Sequence, residues 1–262
     1  MQEITSHKPG TMCWVDLSTT NQAEARKFYN MLFGWESTEV PSVDGRNYTI
    51  LSIGGKPVAA LSEMTDEQKK MNMQPYWLPY ISVENVDEIL LRTNELGGGV
   101  IADAFDVTNQ CRMGLISDPE GAILALWQPK DSIGMYYKNI HGTLNWLEHA
   151  SHQPEKSIPF LEKLFGWKAR TQDMGGTIYT VFSLGEEAAA GLYTMPPEMN
   201  HLPSHWLPTF LTEDIDRSIE IINANGGQIL LPKMFTEEVG FYIVFRDPQG
   251  AVSGLVEEPM NK

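Results

Sequence analysis

The chain has 262 residues, 42% of them hydrophobic and 20% charged, which is enough for two globular domains with cores of their own. A formal charge of −15 argues against nucleic acid, whose phosphates call for Lys and Arg. No apolar run is long enough to cross a bilayer and residues 1–4 lack the start of a secretory leader, so a cytoplasmic protein with no membrane partner is expected.

In chain order, an apolar strand is expected over 11–17. Cys13 lies in it, and like Cys111 reads as a buried thiol of a reducing compartment. A helix follows over 22–33, capped by Thr19 or Asn21, with Gln22 and Glu24 placed for capping-box contacts. Phe28, Met31 and Leu32 share one face of it, and Gly34 ends it. Strands at 35–40, 48–53 and 57–63 come next, split by turns at Asp44-Gly45 and Gly54-Gly55.

The same order then recurs. A strand over 78–83 leads to a helix over 86–96, stopped by Gly97-Gly98-Gly99, and to strands at 100–107, 112–117 and 122–128. Further on, helices are expected near 157–165 and 215–225. Pro159 falls where the first copy has mid-helix Lys27, and an interior proline costs roughly 3 kcal/mol. That helix is therefore expected to begin late, near Ser157, with Pro159 in its first turn.

Sequence identity confirms a duplication. Leu32-Phe33-Gly34-Trp35 returns as Leu164-Phe165-Gly166-Trp167, and Ser117-Asp118-Pro119-Glu120-Gly121-Ala122 as Arg246-Asp247-Pro248-Gln249-Gly250-Ala251. Trp35 to Trp167 is an offset of 132 and Asp118 to Asp247 one of 129, so only small indels separate the copies. A repeat this long is a duplicated domain, since solenoid units span about 20–50 residues. The expected domains are 10–128 and 142–258, joined by a linker over 129–141. The Asp-Pro-x-Gly segments read as type I turns and Leu-Phe-Gly-Trp as helix-end packing.

Four βαβββ units, Phe28-Tyr29 with Leu32–Trp35, and the Asp-Pro-x-Gly-Ala hairpin together resemble the vicinal oxygen chelate superfamily, the glyoxalase/bleomycin-resistance/extradiol-dioxygenase fold. The resemblance implies an α+β protein of two tandem domains, each pairing two βαβββ modules into a curved mixed sheet or incomplete barrel around a cavity. It also implies a place for a divalent cation, held in metal-dependent members by four His, Gln or Glu side chains. Here those places read Trp14, Ala60, Leu78 and Ala125 in one copy and Trp146, Gly191, Leu207 and Gly254 in the other. None offers a metal a lone pair, so no metal and no cofactor are expected.

Strand alternation adds candidates to that face. Asp16 and Glu148 follow the two tryptophans, Tyr76 and Tyr80 share the face of Leu78, His205 and Thr209 that of Leu207, and Trp127 and Val256 join the last strands. Asp16, Glu148 and His205 are the candidate acid–base groups; plain packing of the tryptophans is the competing account. His149 alternates to the opposite face. The function expected is binding of a small, partly aromatic or cationic molecule by a monomer or homodimer. The alternative is a glyoxalase-like lyase or isomerase, or a dioxygenase-type enzyme, acting on a small carbonyl compound.

Overall fold

A computed structural model describes residues 3–41, 45, 47–174, 176 and 178–259; Asp44 of the expected first turn lies outside them. The first module is β1 (Met12–Thr19), α1 (Gln22–Phe33), β2 (Glu36–Pro41), β3 (Asn47–Ile53) and β4 (Lys56–Glu63). A short helix absent from the expected plan, α2 (Asp66–Lys70), leads into β5 (Tyr76–Ser82), α3 (Val86–Glu95), β6 (Gly99–Val107), β7 (Cys111–Ser117) and β8 (Ile123–Pro129). The second copy runs β9 (Leu144–Ser151), α4 (Pro154–Phe165), β10 (Lys168–Asp173), β11 (Ile178–Leu184) and β12 (Glu187–Thr194). It ends with β13 (His205–Leu211), α5 (Ile215–Ala224), β14 (Gln228–Thr236), β15 (Gly240–Arg246) and β16 (Val252–Glu257).

Each copy builds one eight-stranded mixed sheet, ordered β2-β3-β4-β1-β5-β8-β7-β6 and β10-β11-β12-β9-β13-β16-β15-β14. Neither closes into a barrel. The module-initial strands meet antiparallel at the centre, and each pairs parallel with the last strand of its own module. Both modules of a copy thus contribute to one inner face.

Helix ends follow the local sequence. Asn21, rather than Thr19, caps α1 by accepting from the Glu24 amide, and Gly34 and Gly166 close α1 and α4 in the left-handed conformation. Phe28 and Leu32 are buried as expected; Met31 instead lies at the surface and Tyr29 joins the core. The expected late start of α4 is wrong. It begins at Pro154, and Pro159 sits inside it with its ring exposed to solvent. Proline forfeits the amide bond of its own position and crowds the carbonyl one turn back, but Ser157, Phe160, Leu161 and Leu164 of the same helix are buried and hold it.

The helices cover one face of each sheet. Trp77 of β5, which pairs with Leu17, packs edge-on against Tyr29 of α1, so odd-numbered β1 residues face the helix. Trp14, Asp16 and their β5 partners Tyr80 and Leu78 occupy the other, inner face. In the second sheet, His149 meets Trp206 on the helical side, leaving Trp146 and Glu148 inward.

The helical sides of the two copies lock together by matched contacts. Trp35 Nε1 donates to Gly142 O at 3.0 Å and its twin Trp167 Nε1 to Gly10 O at 2.8 Å. The Leu-Phe-Gly-Trp segments thus clasp each copy to chain that flanks the other. Phe210 adds to the seam, with Trp77 and Trp35 at 5.1 and 5.7 Å between ring centres.

Candidate functional site

The inner face of the first copy centres on Asp16. Its Oδ1 accepts from Tyr48 Oη at 2.6 Å and Trp14 Nε1 at 2.8 Å, and its Oδ2 from Tyr80 Oη at 2.6 Å. Tyr48 reaches Asp16 from β3 by crossing β4 at Ala60, the residue directly beside Asp16. A larger side chain at 60 would block that path. Trp127 closes the group, 5.9 Å from Trp14 and 5.8 Å from Tyr80 between ring centres, with its Nε1 donating to Ser132 O. Burial pushes the Asp16 carboxyl up from its usual range, against the pull of the three donors. Asp16 and the burial of Trp14, Tyr80, Ala60 and Ala125 make this a filled, hydrogen-bonded cluster.

The second copy keeps part of this plan. Trp146, Glu148 and Tyr179 stand for Trp14, Asp16 and Tyr48, and Gly191 for Ala60. Tyr179 folds so far over Gly191 that a β-carbon there would lie 2.0 Å from its hydroxyl oxygen and 2.9 Å from Trp146 Nε1. Trp146 Nε1 donates to the Tyr179 hydroxyl at 3.2 Å, and Tyr179 acts on the Glu148 carboxyl from beside it. Beyond Trp146, Thr209 stands for Tyr80 and lies against Gly254, and Val256 stands for Trp127. Trp146, Glu148, Tyr179 and Thr209 all stay half-buried. Burial raises the Glu148 carboxyl, and Tyr179 only partly offsets it.

The sequence-derived positions therefore do converge, four per sheet, and the residues on them fit a metal poorly. Indole, methyl, isobutyl and glycine groups present no lone pair, and the small ones are the places over which Tyr48, Tyr179 and Thr209 lie. Tyr48 and Tyr179 were missed by the sequence reading. His205 does face inward, opposite Ala150, but its Nδ1 is bonded to Pro203 O at 2.8 Å. Burial lowers its pKa against the pull of the Pro203 carbonyl, and the neighbouring His149 and His152 add to the lowering. Tyr76 is taken up by Gln68 of α2 at 3.0 Å, and Leu78 and Leu207 line the centre of their sheets.

Among the described residues one group of three possible ligands gathers, Asp118, Glu120 and His149. It lies on the helical side, between the copies. His149 Nε2 meets Asp118 Oδ2 at 2.9 Å, and Ser157 Oγ donates to Asp118 and to Glu120. Glu120 also accepts from Ser151, Ser204 and the amides of His152 and Gln153. The group's carboxylates are engaged by these donors and tie the two copies together, while His149 Nδ1 stays buried without a partner. The Asp-Pro-Glu-Gly segment is the expected turn, closed by Gly121 N to Asp118 O at 3.0 Å, and it also bridges the copies.

Glu120 gives a prediction with a definite sign. Burial pushes its pKa up, but the bonds from Ser151, Ser157, Ser204 and the Gln153 amide outweigh this and hold it at about 2, against an ordinary 4.5. A carboxylate lowered by folding stabilises fully above its unfolded pKa and loses that contribution as pH falls from about 4.5 towards 2. Discounted for solvent screening, this is on the order of 1–2 kcal/mol. In urea titrations the E120Q variant should lose stability at pH 7 and approach the parent near pH 2. An equal deficit at both pH values would refute the assignment.

A recess of about 710 Å³ lies elsewhere, between α1, α2 and the strand ends near Glu39 and Glu63. Arg26–Glu39 and Lys69–Glu63 ion pairs cross it, and it reads as a solvated groove.

Two open mixed sheets of paired βαβββ modules, each with an inner-face cluster at one set of positions, define a tandem α+β protein of the vicinal oxygen chelate type. The family model for the Glyoxalase/Bleomycin resistance protein/Dioxygenase superfamily matches residues 11–126 and 143–252, and the chain belongs to that superfamily. It is 34% identical over 98% of both chains to the protein of Mycobacterium tuberculosis named "Putative glyoxylase CFP32". It is 26% identical to the anthracycline biosynthesis protein DnrV of Streptomyces peucetius, over 97% of this chain and 95% of that one. Among solved structures, a Mn(II)-bound glyoxalase from Novosphingobium aromaticivorans matches with a TM-score of 0.68 at 12% identity, covering 96% of this chain and 83% of that one. The 2,3-dioxygenase LapB from Pseudomonas sp. KL28 matches at 0.65 and 13%, covering 99% and 95%. At such identities these two share the fold alone.

Proposed function

We propose that this protein binds a small planar aromatic molecule bearing a cationic group on the inner face of its sheets, without a divalent cation. One observation carries the reading: a carboxylate set among indole and phenol rings stands beside the positions that hold metal ligands in metal-dependent relatives. Aromatic faces attract a cation by about 0.5–2 kcal/mol each, and a partly desolvated carboxylate adds the charge-assisted bond. The name of the Streptomyces relatives supports the aromatic half, because anthracyclines are planar polycyclic compounds. Equilibrium dialysis against 9-aminoacridine, a planar aromatic monocation, should give saturable uptake that a chelator does not alter. Uptake that never saturates, or that chelation abolishes, counts against it.

A second reading, a lyase or isomerase acting on a small carbonyl compound, draws on the upward-shifted Glu148 and on the name of the mycobacterial relative. Glu148 would take a proton from carbon with no Lewis acid to hold the enediolate. It requires α-hydrogen exchange of a hydroxyketone in D₂O that E148Q abolishes.

A further inference from the structure

The two inner faces are not equivalent, and the difference names the binding copy. In the first, three donors between 2.6 and 2.8 Å spend the Asp16 carboxylate on the protein itself. Trp127 seals the cluster against Trp14 and Tyr80. In the second, the same carboxylate loses two of those donors. Trp146 Nε1 is turned to the Tyr179 hydroxyl, and the phenol of Tyr80 is replaced by Thr209. A carboxylate has about four acceptor sites, and Tyr179, with a single hydroxyl proton, can fill at most one.

The rings that remain flank Glu148. Tyr193 lies directly across from Tyr179, where the first copy has Ser62 across from Tyr48, and Tyr242 lies across from Val256, where the first has Met113 across from Trp127. Both tyrosines are half-buried, and Glu148's charge acts on both. The sealing ring is thus lost, and two phenols are gained at the flanks.

We infer that the second copy alone takes the ligand, with Glu148 receiving its cationic group between Trp146, Tyr193 and Tyr242, and with Gly191 as the residue that gives Tyr179 and Trp146 their places. The inference rests on the binding reading above. Gly191 matters because any side chain there must drive Tyr179 and Trp146 outward; Ala60 at the same register leaves Tyr48 on Asp16. Its backbone needs no left-handed conformation, so alanine fits the strand as it does at 60.

Isothermal titration of the full chain with 9-aminoacridine tests this. One equivalent per chain is expected, with affinity at least tenfold weaker in E148Q and reduced in G191A. Melting curves show whether each variant is folded, and G191A, which keeps the carboxylate, serves if E148Q is not. Two equivalents, or one that survives both substitutions unchanged, overturn the inference and leave the general binding reading standing. Absence of saturable uptake by the parent protein overturns both.

Discussion

Asp16→Ala should destabilise the chain by about 2–4 kcal/mol, while Glu148→Ala should change it by less than about 1 kcal/mol. The substitutions look alike in sequence, since each removes an acid two residues after a strand tryptophan. They differ in what is left behind. Without Asp16, the hydroxyls of Tyr48 and Tyr80 and the indole of Trp14 lose their common acceptor, and Trp14 and Tyr80 are each only 3% exposed. Unsatisfied buried donors cost more than the relief from removing a poorly solvated charge. Without Glu148 at most one tyrosine contact goes, and the burial that raises its carboxyl is relieved at once. Urea denaturation of both variants gives the comparison; equal losses would contradict the assignment of structural and binding roles.

The largest loss is expected from Trp167→Ala, about 3–5 kcal/mol. The indole is fully buried, packs at a tilt 5.1 and 5.2 Å from Phe165 and Phe182 between ring centres, and carries the bond to Gly10 O. Its removal leaves a cavity and an unpaired carbonyl in a segment that precedes β1 of the other copy. The change should therefore loosen the seam as well as the second core. Amide exchange should quicken around residues 8–11 as well as around α4. Protection lost only within the second copy would mean that the clasp carries little of the coupling.

Much of the fold was legible because each level of the sequence agreed with the next. The duplicated Leu-Phe-Gly-Trp and Asp-Pro-x-Gly segments fixed the phase of four modules, and Asn21 marked where α1 begins. Alternation then put Trp14 with Asp16, and Trp146 with Glu148, on the inner face. Tyr48, Tyr179, Tyr193 and Tyr242 were invisible at that stage because their neighbours come from strand register, and register is a long-range property. The Asp118–Glu120–His149 junction escaped for the same reason: its turn has a local signature, whereas contact across the copies has none. Pro159 misled because local helix cost was weighed without the buried face that outweighs it.

The central claim is that recognition in this member of the superfamily runs through the charge of Glu148 instead of a bound cation. The most direct measurement is the affinity for 9-aminoacridine as a function of pH with a chelator present throughout. Burial places the Glu148 titration above the ordinary glutamate value, and binding should fall as that carboxylate takes up its proton. It should weaken on acidification before an ordinary carboxylate would be protonated. Binding that vanishes with the chelator at neutral pH, or that ignores pH while the protein stays folded, would contradict the account.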